Sequence, residues 1–360
     1  MSSYDVIIVG AGPAGATLGR ELCHRGLAVL IVEKEKLPRE KPCAGGITLR
    51  AASLLDFDIG PVTEGIACGA RITYRLSDEC IKRHNQPLVH MVMRSRFDHF
   101  LVKKAQEAGA VVSDGVRADQ LEMTASGVSM LTAEGPVTAK VVAAADGARG
   151  TVGRRLGMIR DFELGLALED EVYVTQDKLA DWDSLIGLDI GQIPGGYGWI
   201  FPKRDHLSVG VGGPLHLSKR LKPYLERLLR HLGKNDIDDF TGHLLPLRRR
   251  GMAIQRGNAL LLGDAAGLVH PLTGEGIYYA IRSAQLAAPV ITESLRSGTI
   301  DLKGYQRAVD DQLMPSLELG RVLLNLFAWS PRFYFDLASR SDRVWSYAWH
   351  ALMGTWPVCI

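Results

Sequence analysis

Residues 5–33 read DVIIVGAGPAGATLGRELCHRGLAVLIVE. An apolar run, a glycine-rich turn, an amphipathic segment and a second apolar run ending in an acid make a strand, a loop, a helix and a strand. Gly10 permits the tight turn, Gly12 lets a pyrophosphate approach the backbone, and Gly15 lets the helix pack close to the strand. The helix, opened by Pro13 and Ala14, aims unpaired N–H groups and the positive end of its dipole at the phosphates. Glu33 closes the second strand, next to Lys34, where its carboxylate can accept from ribose hydroxyls. A lone GxGxxG is weak, but here both strands, the helix and the acid stand at the spacing of a dinucleotide site. The unit does not choose between NAD and FAD, since both bring an ADP half to it.

Residues 259–288, ALLLGDAAGLVHPLTGEGIYYAIRSAQLAA, make that choice. An apolar strand leads to a Gly-Asp turn at Gly263 and Asp264, then to a glycine-punctuated loop that opens a long helix. Asp264 is expected to face ribityl or pyrophosphate-side groups. The N–H groups near Gly274, Glu275, Gly276 and Ile277 fall at a helix start, where they suit negative charge on the N1/C2=O edge of a reduced flavin. The GxGxxG spacing is missing here, so FAD is the expected cofactor. NADPH as reductant would bind transiently; ferredoxin or another electron-donor protein is the alternative. His270, beside the turn, reads as a structural hydrogen-bonding residue.

Composition sets wider bounds. The 360 residues allow about two domains or one large domain with an insertion, and 46% hydrophobic content supplies a core. A net charge of +2 gives no case for nucleic acid, and the basic run LRRRG at 247–251 reads as a solvated turn. Five cysteines, Cys23, Cys43, Cys68, Cys80 and Cys359, show no metal-binding spacing, which fits reduced thiols in a cytoplasmic protein. The N-terminal apolar run is too short for a signal peptide or a membrane span.

GAGPAG with Glu33, RSRFDHFL from Arg94, AADGARG around Asp146 and LLGDAAGLVHPLTGEGI together resemble the flavoprotein hydroxylases and reductases of the para-hydroxybenzoate hydroxylase fold. Within that superfamily, KPCAGGIT (41–48) and PGGYGWIFP (194–202) resemble the geranylgeranyl reductase branch. Pro194, Tyr197, Trp199, Phe201 and Pro202 match its P-x-x-Y-x-W-x-F-P pattern, while Ala44 replaces the branch's usual glycine. The resemblance implies an α/β fold: a Rossmann-like FAD-binding domain with an inserted antiparallel β-sheet for substrate and a C-terminal helical segment. The FAD-binding domain is expected from 1–62, 92–160 and 247–300, the substrate sheet from 63–91 and 161–246, and the helical segment from 301–360. The cofactor is expected to lie against the two glycine loops and Cys43, Ala44 and Gly45. In this superfamily the arginine and aspartate matched by Arg94 and Asp146 stand beside it, although Arg94 also suits a surface ion pair. A helix is expected over 96–109.

In PGGYGWIFP the aromatics Tyr197, Trp199 and Phe201 alternate, so as a strand they share one face. With the second sheet over the flavin, as the resemblance implies, that face lines a cavity for an isoprenoid chain of a lipid or quinone; each buried methylene contributes roughly 0.8 kcal/mol. A hydride on an isolated alkene needs a proton as well, and the carbocation character that develops suits aromatic faces. Tyr197, Cys43 or an ordered water is the candidate acid, and Cys43 reads equally as a small buried residue. Reduction is the expected reaction. A flavin monooxygenase and a non-catalytic prenyl-lipid carrier are the alternatives. The tail carries Trp329, Phe333, Tyr334, Phe335, Trp345, Tyr347, Trp349 and Trp356 among arginines, and reads as a peripheral membrane contact at the inner face or as a helical cap on the flavin domain.

Overall fold

The apolar run at the start becomes strand Ser2–Val9, whose last four residues are wholly buried. In the computed structural model this strand lies at the heart of an eight-stranded sheet and pairs in parallel with Val29–Glu33 on one side and Gly135–Ala144 on the other. Ala259–Leu261 and Val111–Asp114 extend the parallel core. Helices Pro13–Cys23, Arg94–Glu107 and Ile277–Arg296 pack on this sheet through buried residues such as Leu18, Phe97 and Ile281. Described are residues 2–118, 121–124, 127–132, 135–158, 162–236 and 239–353. Trp356 and Cys359 lie outside them, as does the side chain of Tyr347.

The second sheet has seven strands in the order Thr241–Leu247, Glu163–Tyr173, His206–Pro214, Tyr197–Pro202, Leu185–Ile190, Gly69–Tyr74 and Asp78–Arg83. It is antiparallel except where Leu185–Ile190 and Gly69–Tyr74 run parallel. Those two strands come from distant segments of chain, so no hairpin dictates their direction. One face is closed by the amphipathic helix Ser218–His231, through Leu221, Tyr224, Leu225 and Leu228 against Ile200, Val209 and Val211. The other face looks into a cavity. A third sheet, Gly46–Thr48, Val89–Val92 and Thr63–Ala67, stands beside it.

Three local expectations change. The helix at Arg94 begins at that residue, because Met93 is extended and caps it, and ends at Glu107 before Gly109 turns with φ +108°. Within LRRRG, Arg249, Arg250 and Gly251 are solvated and Leu247 and Arg248 are not. Arg248 is buried and pairs with Asp310 at 2.9 Å, drawn inward by the packing of helix Lys303–Gln312. The tail divides between the sheets: Tyr305, Val309 and Leu317 join the core of the first, while Phe335, Trp345 and Trp349 pack with Ala70, Ile72 and Ile186 of the second. No helix among the described residues is long and apolar enough to cross a membrane.

Candidate active site

At the nucleotide end, the backbone itself explains the glycines. Gly10 has φ +104°, and a Cβ there would sit 2.3 Å from the Ala145 carbonyl oxygen; a Cβ on Gly15 would sit 1.9 Å from that of Gly10. Gly12 differs: an added Cβ would meet only an Arg39 nitrogen, at 3.6 Å. The open approach lies at the start of helix Pro13–Cys23, which no side chain caps, so its first-turn N–H groups face outward without intrahelical partners. Glu33 is buried, accepting from the Ala11 N–H at 3.0 Å and the Glu35 N–H at 3.2 Å, with Arg39 also at 3.2 Å. Lys34 stands apart, exposed and paired with Glu35. Asp146 spends one oxygen on the N–H groups of Thr151 and Val152, at 2.7 and 3.0 Å, and leaves Oδ1 buried with no hydrogen-bond partner among the described residues. Burial raises its pKa. A pyrophosphate-bearing nucleotide with hydroxyl donors fits this donor set: open N–H groups at a helix start and a carboxylate oxygen short of a hydrogen bond.

A buried relay connects this end to the cavity. Arg94 grips Asp98 through Nε and Nη2 at 2.8 and 2.9 Å, and Asp98 also takes Arg39 at 3.1 Å. Burial opposes both charges, but their pairing outweighs it, holding Arg94 protonated and Asp98 ionised. Arg94 is therefore no surface residue; it lines the cavity beside Cys43.

The cavity holds about 730 Å³ between the second sheet, the glycine loops and the tail helices. Tyr197, Trp199 and Phe201 all face it, as do Cys43, Ala44 and Gly45. Tyr197 and Trp199 lie 6.2 Å apart at 58°. Trp199 occupies space that a side chain on Gly210, its cross-strand partner, would need: a Cβ there would fall 2.1 Å from the indole. Phe201 is seated likewise over Gly46, at 2.7 Å. Tyr197 donates its hydroxyl proton to the Thr273 carbonyl at 2.5 Å, and burial pushes its pKa up, so it is poorly suited as an acid. The sulfur of Cys43 accepts from the Gly45 N–H at 3.4 Å.

Asp264 and the second glycine loop form the floor. Although burial opposes its charge, Lys41 at 3.5 Å and His243 at 3.3 Å hold Asp264 well below the usual carboxylate range. Gly263 sits between Ala14 and Ala280, joining the starts of two helices. Of the loop N–H groups, Gly274 donates to the His270 carbonyl at 2.9 Å and Glu275 to the Thr273 hydroxyl at 3.3 Å. This leaves Gly276 and Ile277, at the uncapped start of helix Ile277–Arg296, as the donors facing outward. His270 is structural: burial lowers its pKa to about 3, and its Nδ1 accepts from the Thr273 N–H at 3.2 Å.

Two polar residues, one behind the Cys43 loop and one in the cavity wall, carry no motif in the sequence. Lys203, buried directly after the aromatic strand, donates to the carbonyls of Ala44, Gly45 and Val92 at 2.6, 3.4 and 3.0 Å, fastening the Cys43 loop. Burial lowers its pKa to about 8. Glu169 lines the cavity and accepts from the backbone N–H of Cys43. The sequence signal for Glu169 is an acid on the small-residue face of its strand, in line with Gly165 and Ala167.

A model of the FAD binding domain family matches residues 3–182. A digeranylgeranylglycerophospholipid reductase of Thermoplasma volcanium is 31% identical over 339 residues, covering 87% of this chain and 84% of that one. This chain belongs to the family of FAD-binding flavoproteins related to the geranylgeranyl reductases. An uncharacterized protein of Methanosarcina barkeri is 32% identical over 91% of this chain and 84% of its own. The solved structure of a geranylgeranyl bacteriochlorophyll reductase-like protein from Thermoplasma acidophilum superposes with a TM-score of 0.82 at 26% identity, covering 91% of this chain and 88% of that one. As a member of this family the protein is an FAD-dependent oxidoreductase acting on small organic substrates, and the α/β architecture expected from its motifs is the one it has.

Proposed function

We propose that this protein reduces isolated C=C bonds in the isoprenoid chain of a lipid or quinone. The observation that carries the reading is the 730 Å³ cavity, walled by Tyr197, Trp199 and Phe201 and continued by Leu324, Phe327 and Trp345 of the tail. Such a lining favours a chain of methyl-branched hydrocarbon over a polar aromatic, because each buried methylene adds roughly 0.8 kcal/mol without polar partners. In this proposal segments 1–62, 92–160 and 247–300 hold FAD, and segments 63–91 and 161–246 hold substrate. Gly12, Glu33 and Asp146 would serve the ADP half, and Asp264, Gly276 and Ile277 the flavin half. Reduced FAD supplies the hydride. The protein's own residues exclude water and place aromatic faces where positive charge develops. NADPH, ferredoxin or another donor would reload the flavin transiently, since the chain has one GxGxxG unit.

The tail would give the lipid its route from the inner face of the membrane. Val322, Trp329 and Phe333 are 55%, 86% and 57% exposed, while neighbouring Leu323, Phe327 and Tyr334 line the cavity. Anaerobic mixing of dithionite-reduced protein with geranylgeranyl lipid tests the proposal. The expected result is flavin reoxidation with a gain of two hydrogens per double bond by mass spectrometry. An oxygen-dependent product carrying an added oxygen would replace reduction with hydroxylation, and lipid retained unchanged would make the protein a carrier.

A further inference from the structure

Reduction of an alkene needs an acid as well as a hydride, and the acids around the cavity differ in what surrounds them. Four carboxyl side chains line it among the described residues: Glu163, Glu169, Asp264 and Glu275. Glu163 pairs with Arg249 at 3.1 Å and with Arg321, Asp264 with Lys41 and His243, and Glu275 with Arg50 and, at 2.6 Å, the Thr48 hydroxyl. Each of these three is engaged by at least one cationic side chain. Glu169 has no ion-pair partner among the described residues, only the Cys43 N–H.

The strand register then sets Glu169 against the aromatic wall. Glu169 pairs with Gly210, and Gly210 with Trp199, so acid and indole stand on one face two strands apart with only a glycine between them. The indole fills the space above that glycine. Resting on the reductase reading above, we propose that Glu169 is the acid that protonates the double bond, with the alkene held against Trp199.

The carboxyl O–H breaks and its proton bonds to the less substituted alkene carbon, using the π electron pair. The hydride of the reduced flavin bonds to the more substituted carbon, where the cationic character faces the indole. The alkene gains two hydrogens, FADH⁻ becomes FAD, Glu169 is left as carboxylate, and solvent returns its proton. An external two-electron donor, or two one-electron donors, restores the flavin. Burial pushes the Glu169 carboxyl up to about 7, against the Cys43 N–H, Lys203 and Arg94, with Glu171 adding to the rise. The strands on either side place Gly210 and Thr241 opposite it, and neither titrates. A raised folded-state pKa keeps the proton on Glu169 below about pH 7, and ionisation removes it as pH rises through that value.

Glu169→Gln keeps the acceptor for the Cys43 N–H and lacks the acid. Its FAD spectrum, dithionite reduction and affinity for geranylgeranyl lipid should match the wild type, while anaerobic reoxidation by that lipid slows by about 10²- to 10⁴-fold. Glu169→Asp should recover part of the rate. Wild-type reoxidation should fall about tenfold per pH unit above 7, and the glutamine variant should show no such limb. Infrared titration should also show a protonated-carboxyl band with a midpoint near pH 7 that the glutamine variant lacks. Wild-type reoxidation rates in Glu169→Gln, or no such band, would overturn the assignment and leave the reductase reading standing. If wild-type protein is not reoxidised by isoprenoid lipid at any pH, the reductase reading falls and this assignment with it.

Discussion

The nucleotide loop and the cavity wall both depend on glycine, but against different neighbours. A Cβ on Gly10 or Gly15 would collide with backbone oxygens, whereas one on Gly210 or Gly46 would collide with the side chains of Trp199 and Phe201. Backbone in a buried parallel sheet cannot give way without shifting several strands together, while a side chain can change rotamer at smaller cost. The nucleotide end is therefore rigid by construction, and the cavity wall is adjustable one side chain at a time. The same contrast runs through the charges. Asp98 is locked between two arginines, whereas Glu169 has no ion-pair partner among the described residues and accepts from the Cys43 N–H.

The largest effect should come from Gly15→Ala. With backbone 1.9 Å from the new methyl, it should destabilise the fold by roughly 3 kcal/mol or more, at the upper end of overpacking costs. Urea unfolding and FAD content per chain measure this, and a stable, fully loaded variant would break the contrast. Gly210→Ala should cost less, about 1–2 kcal/mol, because the indole can move. FAD content should stay at one per chain while lipid affinity, read by retention of geranylgeranyl lipid, falls. Equal losses of FAD and lipid would show that the two regions are not separable. Trp329→Ser should be the mildest, within about 0.5 kcal/mol in stability, since the side chain is 86% exposed. Its expected effect is weaker co-sedimentation with liposomes, and unchanged co-sedimentation would exclude Trp329 from the proposed membrane contact.

The dinucleotide unit was legible because its determinants are local. Gly10, Gly12, Gly15 and Glu33 fall within 24 residues, and each requirement concerns the turn, the helix start or the end of the next strand. The aromatic face of PGGYGWIFP was legible for a similar reason, as strand side chains alternate whatever the strand packs against. The fate of Arg248 was not, because the residue that draws it inward, Asp310, lies 62 positions away on a helix of its own. Nor was the division of the tail, whose residues join two different cores through contacts with strands far away in the sequence.

By itself, then, the sequence determined the nucleotide unit, the FAD-type second loop and the side of the strand that carries Tyr197, Trp199 and Phe201. These follow from spacing along one stretch of backbone. Tertiary structure decided that Tyr197 spends its proton on the Thr273 carbonyl and that Lys203 ties down the Cys43 loop. It also brought Glu169 across Gly210 from Trp199, through pairing of strands whose register is set by the packing of the whole sheet on helix Ser218–His231. A side chain's protonation depends on which distant groups approach it and how much water they displace, and those quantities exist only once the strands are paired.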